Sequence, residues 1–311
     1  MDEPNLAVNL APRHTDGLSL SNPVMVASGT FGWDGFGSGI PRDMKFEQLG
    51  GIVVKTTTPS RREGNPTPRI IHGDGWTLNS IGLENPGISE VLKRYALDWE
   101  SWNVPVLLSL AGEKFSEFES LTTQANGVKG ISGLEINVSC PNVEGGLEFG
   151  QSPDLTFQVT RLVKSATSLP VVVKLSPNVT DIASMAAAAS EGGADAITLT
   201  NTLKGMAIDL LHRNSKLGTM MGGVSGHALR PIALGMVYAV RKVTNIPIIG
   251  VGGISTGAHA LEFLLAGASA IQVGSANFVD PYVPLKVLKE LKSYFRDHRI
   301  SSLAEVVGSV Q

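Results

Sequence analysis

The chain uses cysteine once in 311 residues. An internal disulfide and a cysteine-ligated cluster are therefore excluded, which suits a reduced, cytoplasmic setting. No apolar run reaches the ~18 residues that suggest a membrane span. The start, MDEPNLAVNL, lacks the basic and apolar regions of a signal peptide. Lys/Arg runs and aromatic-basic stripes are missing, and the formal net charge is −3, so nothing suggests a nucleic-acid partner. The six histidines (14, 72, 212, 227, 259 and 298) show no paired metal-ligand spacing. There is no serine-hydrolase elbow. Gly35-x-Gly37-x-Gly39 departs from the G-x-G-x-x-G dinucleotide fingerprint. Low-complexity segments and 20–50-residue repeats are absent as well.

What the sequence does have is glycine, 35 in all, set in short turns between apolar runs. Eight such runs read as strands: Val24–Ala27, Gly51–Lys55, Val104–Leu110, Leu134–Ser139, Pro170–Leu175, Ala196–Thr200, Pro247–Val251 and Ala270–Gly274. They are continuously apolar, the pattern of strands covered on both faces. Amphipathic helical stretches lie between most of them, among them Phe115–Val128, Asp154–Thr167, Asp181–Glu191, Pro231–Val243 and Thr256–Ala266. Tyr282–Arg296 reads as a closing helix, and Ser152-Pro153-Asp154 and Thr180-Asp181 are cap signals. Strand–helix alternation implies parallel strands with right-handed crossovers. Eight units favour an α/β fold closed as a (β/α)8 TIM barrel, with residues 1–311 as one domain. Leu6–Asn9 and Gly17–Leu20 read as a small N-terminal β-hairpin at the bottom. Long gaps from Thr56 to Asn103 and from Asn201 to Asn245 are insertions after strands two and six.

In such a barrel the C-terminal strand ends face one cavity. Glycines after strands seven and eight (Gly252, Gly253, Gly274, with Ser275) would let backbone N–H groups approach a phosphate, with the helix opened by Thr256 and Gly257 behind them. Lys55 and Lys174 end apolar strands, where lysine is rarely buried without a partner. Two cations, amide side chains and a phosphate site suit a planar, electron-accepting cofactor such as FMN, whose reduced ring a cation stabilises. They also suit a Schiff-base aldolase. Asparagines 79, 137, 142 and 201 near strand ends would bind a substrate rich in amides and carbonyls. Cys140 follows a strand and precedes a proline. A free cysteine is commonly a small buried hydrophobe, but this position places it in a loop at the active face, where its thiolate could act as a base.

The stretches "ASGTFG", "VVKTTT", "NSIGLENPG", "NVSCPNVEGGLEFG", "VVVKLSPN", "TLTNT", "GGVSG", "GVGGI" and "QVGSANF" follow one another along nearly the whole chain. In that order they resemble dihydroorotate dehydrogenase, and most closely its class 1B, NAD-linked catalytic subunit. The resemblance implies an FMN-containing barrel that oxidises dihydroorotate to orotate in pyrimidine biosynthesis. It implies that Cys140 removes the C5 proton while the C6 hydride passes to flavin N5, and that Lys55 touches both flavin and substrate. Asn79, Ser80, Ile81, Gly82 and Leu83 match the family's N-x-x-G-L substrate segment, and Asn137, Asn142, Asn201 and Thr202 match further substrate contacts. Ser28, Thr30, Lys55, Thr56, Ser109, Asn137, Lys174, Thr200, Gly226, Gly252, Gly253, Gly274 and Ser275 match flavin contacts. Class 1B membership implies a partner subunit carrying FAD and a [2Fe–2S] centre, two copies of each chain, and NAD as acceptor. The alternatives are the fumarate-linked class 1A and a flavin-dependent dihydropyrimidine dehydrogenase. Membrane-associated members, with a serine base and an N-terminal extension, are less similar.

Overall fold

The computed structural model describes residues 3–139 and 148–310. Its centre is a closed barrel of eight parallel strands: β1 (Val24–Val26), β2 (Gly51–Thr57), β3 (Val106–Leu110), β4 (Gly133–Asn137), β5 (Val171–Lys174), β6 (Ala196–Leu199), β7 (Ile248–Val251) and β8 (Ala270–Val273). Each pairs with its sequence neighbours, and β8 pairs with β1 to close the ring. Seven α-helices are present among the described residues: α1 (Ile88–Ser101), α2 (Phe115–Ala125), α3 (Pro153–Ala166), α4 (Ile182–Glu191), α5 (Arg230–Arg241), α6 (Gly257–Ala266) and α7 (Val283–Asp297). The cap signals act as read: the Ser152 hydroxyl accepts from the Leu155 amide, and the Asp181 carboxylate accepts from the amides of Ala183 and Ser184.

Seven of the eight strands are shorter than the apolar runs suggest, by one or two residues. β3 begins after Pro105 and β5 after Pro170, since proline has no N–H for the ladder. β4 stops at Asn137 because the Ser139 amide turns back to the Asn137 side chain (Oδ1, 3.1 Å). β2 runs two residues further than expected, to Thr57, with a register shift between Val54 and Thr57 where it meets β3.

Strand side chains alternate between faces. Val24, Val26, Ile52, Val54, Leu134, Ile136, Ile197, Leu199, Ile271 and Val273 face outward and pack with the helices in the main core. Met25, Val53, Leu107, Val172, Ala196, Ile249 and Ala270 face inward and form a separate apolar cluster. That inner cluster is completed from below by Leu10, Ala11, Leu18 and Leu20, which belong to or flank the antiparallel pair Val8–Asn9 and Ser19–Leu20. The hairpin thus plugs the barrel floor. Asn9 holds its turn, Oδ1 accepting from the amides of Ala11 and Leu18, each at 2.9 Å.

The two insertions meet above the opposite end. Ile70–Gly73 and Trp76–Asn79, after β2, form one antiparallel sheet with Leu203–Gly205 and Gly222–Ser225, after β6. Asn79 pairs with Gly223 across that junction. Among the described residues, no helix is long and apolar enough to cross a membrane.

Leu10 is fully buried inside the barrel floor. Leu10→Ala should therefore destabilise the protein by about 2–5 kcal/mol, through lost burial and the cavity left behind. Urea unfolding monitored by far-UV circular dichroism measures this; a change within ~0.5 kcal/mol, typical of surface positions, would show that the hairpin does not support the floor.

Candidate active site

Above the apolar floor the barrel interior becomes polar. Glu135, Thr198 and Gln272, from β4, β6 and β8, are each flanked by outward-facing residues, so alternation turns them inward. All three are fully buried. Alternate strands supplying one layer is the usual barrel pattern, but here the layer is hydrogen-bonded rather than apolar. Ser109 on β3 is the ladder partner of Glu135, and Lys174 on β5 is that of Asn137 and Thr198.

A cavity of about 1090 Å³ opens above this level. Ligand pockets are roughly 300–1,000 Å³, so this cavity lies at the upper end of that range. It is lined by Ser28, Thr30, Lys55, Thr56, Asn79, Ser80, Ile81, Gly82, Leu83, Asn137, Lys174, Thr200, Asn201, Thr202, Gly252, Gly253, Gly274 and Ser275. All but two of the expected site residues within the described segments are thus brought to one wall. Ser109 lies behind it, fully buried, with its hydroxyl 2.9 Å from that of Thr56. Gly226 precedes the 3-10 turn His227–Leu229 and is also off the lining. Cys140 and Asn142 lie outside the described residues.

The glycines form a cradle. Gly253 has φ +66°, and an added Cβ would stand 2.7 Å from the Gly226 carbonyl oxygen. Only glycine fits there. Gly274 is open on its cavity side, its nearest contact for a Cβ being 3.8 Å away. One expectation needs correction. The N-terminus of α6 does not serve the cradle: the Gly257 amide donates to Glu290 Oε2 on α7 at 2.5 Å, and the His259 amide to Thr256 Oγ1. A carboxylate from α7 already answers that helix end. The donors that remain for a phosphate are the backbone after β7 and the Gly274–Ser275 turn after β8.

The amides are organised as a network. Asn201 Nδ2 donates to Asn137 Oδ1 at 3.1 Å, while Asn201 Oδ1 accepts from the Thr202 amide at 2.8 Å. With its oxygen taken by Asn201 and the Ser139 amide, Asn137 keeps its NH2 without an acceptor among the described residues. Asn79 Nδ2 donates to the Gly223 carbonyl at 3.2 Å, so the sheet above the barrel fixes that side chain. Ser80 Oγ accepts from Asn65 Nδ2 and Thr219 Oγ1, both at 2.7 Å, and so rivets the two insertions together. Gly82 (φ +74°) and Leu83 (φ +55°) turn the segment into the cavity. A Cβ at Gly82 would meet the Asn65 backbone nitrogen at 2.6 Å.

Burial pushes the Lys55 ammonium below its ordinary pKa of 10.5, and Glu84 partly opposes the shift. Lys174 is 6 % exposed, so it points inward rather than to the surface. Glycine cradle, cavity size and inward cations together fit a phosphate-bearing planar cofactor such as FMN.

Other lining residues were not anticipated as site groups: Arg62, Glu84, Glu113, Asn178, Lys204 and Phe278. Asn178 stands in the "VVVKLSPN" motif and ties the loop after β6, donating to the Thr202 carbonyl and accepting from the Lys204 amide. Arg62 and Glu113 pair across the mouth.

A closed barrel with a glycine cradle after its last two strands and two lysines turned into the cavity has the form of a barrel that can hold a phosphate-bearing planar ligand. Known proteins narrow this class. The family described as Dihydroorotate dehydrogenase matches residues 11–295. The catalytic subunit of dihydroorotate dehydrogenase B (NAD(+)) from Geobacter sp. (strain M21) is 43% identical over 312 residues, covering 100% of both chains. The subunit of that name from Desulforamulus reducens is 45% identical, covering 98% of both chains. That of Geobacillus kaustophilus is 46% identical, covering 94% of this chain and 93% of the other. The chain belongs to the dihydroorotate dehydrogenase family.

Glu84→Gln should lower the Lys55 pKa further, since it removes the one group opposing desolvation. Carbon-13 NMR of the reductively methylated protein reads the titration, and an unchanged midpoint would contradict the assignment. Between the lowered folded value and 10.5 the unfolded chain holds the extra proton. The Lys55 contribution to stability therefore improves as pH rises through that window.

Proposed function

We propose that the chain is the FMN-dependent catalytic subunit of an NAD-linked dihydroorotate dehydrogenase, oxidising (S)-dihydroorotate to orotate in pyrimidine biosynthesis. Residues 1–311 serve as one FMN-binding domain, and a cytoplasmic location belongs to the same reading. The observation that carries it is the convergence of Lys55, the Asn79–Leu83 segment, Asn137, Asn201, Thr202 and the Gly252–Gly253/Gly274–Ser275 cradle on one cavity.

The cradle and Lys174 would hold FMN, with Ser28, Thr30, Thr56 and Thr200 around it. Bound there, FMN supplies a two-electron acceptor for the C6 hydride. The chain's own groups supply the rest. Asn79, Asn137 and Asn201 offer amides of fixed orientation to the carbonyls, ring nitrogens and carboxylate of the substrate, and Asn142 joins them in this reading. Fixing the ring costs little at the moment of reaction because the amides are already held by Gly223, Ser139 and Thr202. Lys55 brings positive charge to the same wall, where a partly dehydrated cavity strengthens it. Cys140 takes the C5 proton as thiolate. The sheet made by the two insertions covers the cavity and limits water.

The electrons then leave the chain. Its single cysteine cannot hold a four-cysteine iron–sulfur centre, and it carries no dinucleotide fingerprint. The relatives' names, with "catalytic subunit" and NAD(+), support a partner electron-transfer subunit carrying FAD and [2Fe–2S], in a complex with two copies of each chain.

Anaerobic mixing with dihydroorotate tests the reading: the flavin of the purified chain should bleach with formation of orotate. Cys140→Ser should keep FMN and bleach at least about 100-fold more slowly, the scale of a lost general base; bleaching at the normal rate would remove Cys140 from the role. The purified chain alone should transfer electrons poorly to NAD and to fumarate. Robust NAD reduction without a partner would refute the electron-transfer subunit, and robust fumarate reduction would favour class 1A.

A further inference from the structure

We propose that Glu135 is a positioning residue for Lys174, its buried carboxylate anchoring the ammonium at the inner end of the cavity. The consequence for the flavin rests on the cofactor reading above.

Glu135 is fully buried. Its Oε2 accepts from Thr198 Oγ1 at 3.1 Å and from Gln272 Nε2 at 3.0 Å, so β6 and β8 fix the carboxylate plane. Its Oε1 has no hydrogen-bond partner among the described residues and faces Lys174 Nζ at 3.9 Å. A buried carboxylate oxygen left without a donor is costly unless a charge compensates it. Lys174 supplies the charge without closing the bond. Its only other described partner is Ser28 Oγ at 3.5 Å. Lysine carries three N–H donors, so most of its capacity remains for the cavity it lines.

The register explains how the two groups meet. Asn137, not Glu135, is the ladder partner of Lys174 on β4, and Thr198 is its ladder partner on β6. Glu135 therefore lies one step below Lys174, between it and the apolar floor. The ammonium has a fixed anion on the floor side and the cavity on the other. Glu135 thus secures the place of Lys174, whose positive charge in turn favours reduced flavin.

The test uses Glu135→Gln, Lys174→Met and the double variant, each saturated with FMN. The flavin midpoint potential is read by spectroelectrochemical titration, and unfolding by urea. Glu135→Gln should weaken reduced relative to oxidised flavin by about tenfold, lowering the two-electron potential by ~30 mV, in the same direction as Lys174→Met. The double variant should match the lower single variant rather than sum the two. An unchanged or raised potential in Glu135→Gln, or additive shifts, would overturn the proposal. Should Glu135→Gln alone fail to fold, a folded double variant supports the pair, and a double variant that fails alike refutes it. If the wild-type chain takes up no FMN, the cofactor reading and the consequence for potential fall together. The unfolding cycle then still decides the pair, non-additive effects supporting it and additive ones refuting it.

Discussion

Closure of the barrel by the β8–β1 pairing is the constraint on which the rest of the structure depends. Once the ring is closed, strand alternation leaves each residue only two destinations, the helix layer or the interior. Valines, leucines and isoleucines take the first at nearly every alternate position. The interior column then changes character with height: an apolar floor sealed by the N-terminal hairpin, a buried polar layer of Glu135, Thr198 and Gln272, and finally the lysines and amides of the cavity. The floor provides rigidity from below. The polar layer lets charge be placed deep in the protein without exposing it to water.

The upper wall is not made by the barrel alone. Segments more than a hundred residues apart in the chain share one antiparallel sheet, and the Asn79–Gly223 pairing joins the insertion after β2 to that after β6. Ser80, held by Asn65 and Thr219, makes a second rivet at the same junction. Asn79, Asn201 and Thr202 can therefore face one ring-shaped ligand although none of the three is on a barrel strand. Salt bridges at the rim, such as Arg69–Glu84 at 2.7 Å, stiffen the segment that carries Gly82 and Leu83.

Much of this architecture was legible in the sequence because buried parallel strands are continuous apolar runs, and all eight were located to within about two residues of their ends. Prolines at 105, 170 and 247 and the Asn137 side chain account for four of the seven shortened strands. The cap sheet was not legible. Its strands have three or four residues' worth of pairing each, and the ladder that joins its two halves links Trp76–Asn79 to Gly222–Ser225 in a distant insertion. Helix α1, within the first insertion, begins after Gly87 without a side-chain cap to mark its start. Site residues at strand ends could be read from position alone. Glu135 could not: a single glutamate in "LEINVS" gains meaning only when its register places it below Lys174. A carboxylate inside an otherwise apolar strand was the signal that could have marked it. The Gly257 amide was misjudged because the residue that occupies it, Glu290, comes from α7, 33 positions away.

The central claim is that one cavity holds a flavin and a pyrimidine ring against each other. Titrating orotate into the purified, oxidised chain, while recording the visible flavin spectrum, tests it most directly. The account predicts a yellow protein with one FMN per chain, whose absorption band shifts saturably as one orotate binds. A colourless protein that takes up no FMN, or a flavin spectrum that orotate leaves unchanged at saturating concentration, would contradict it.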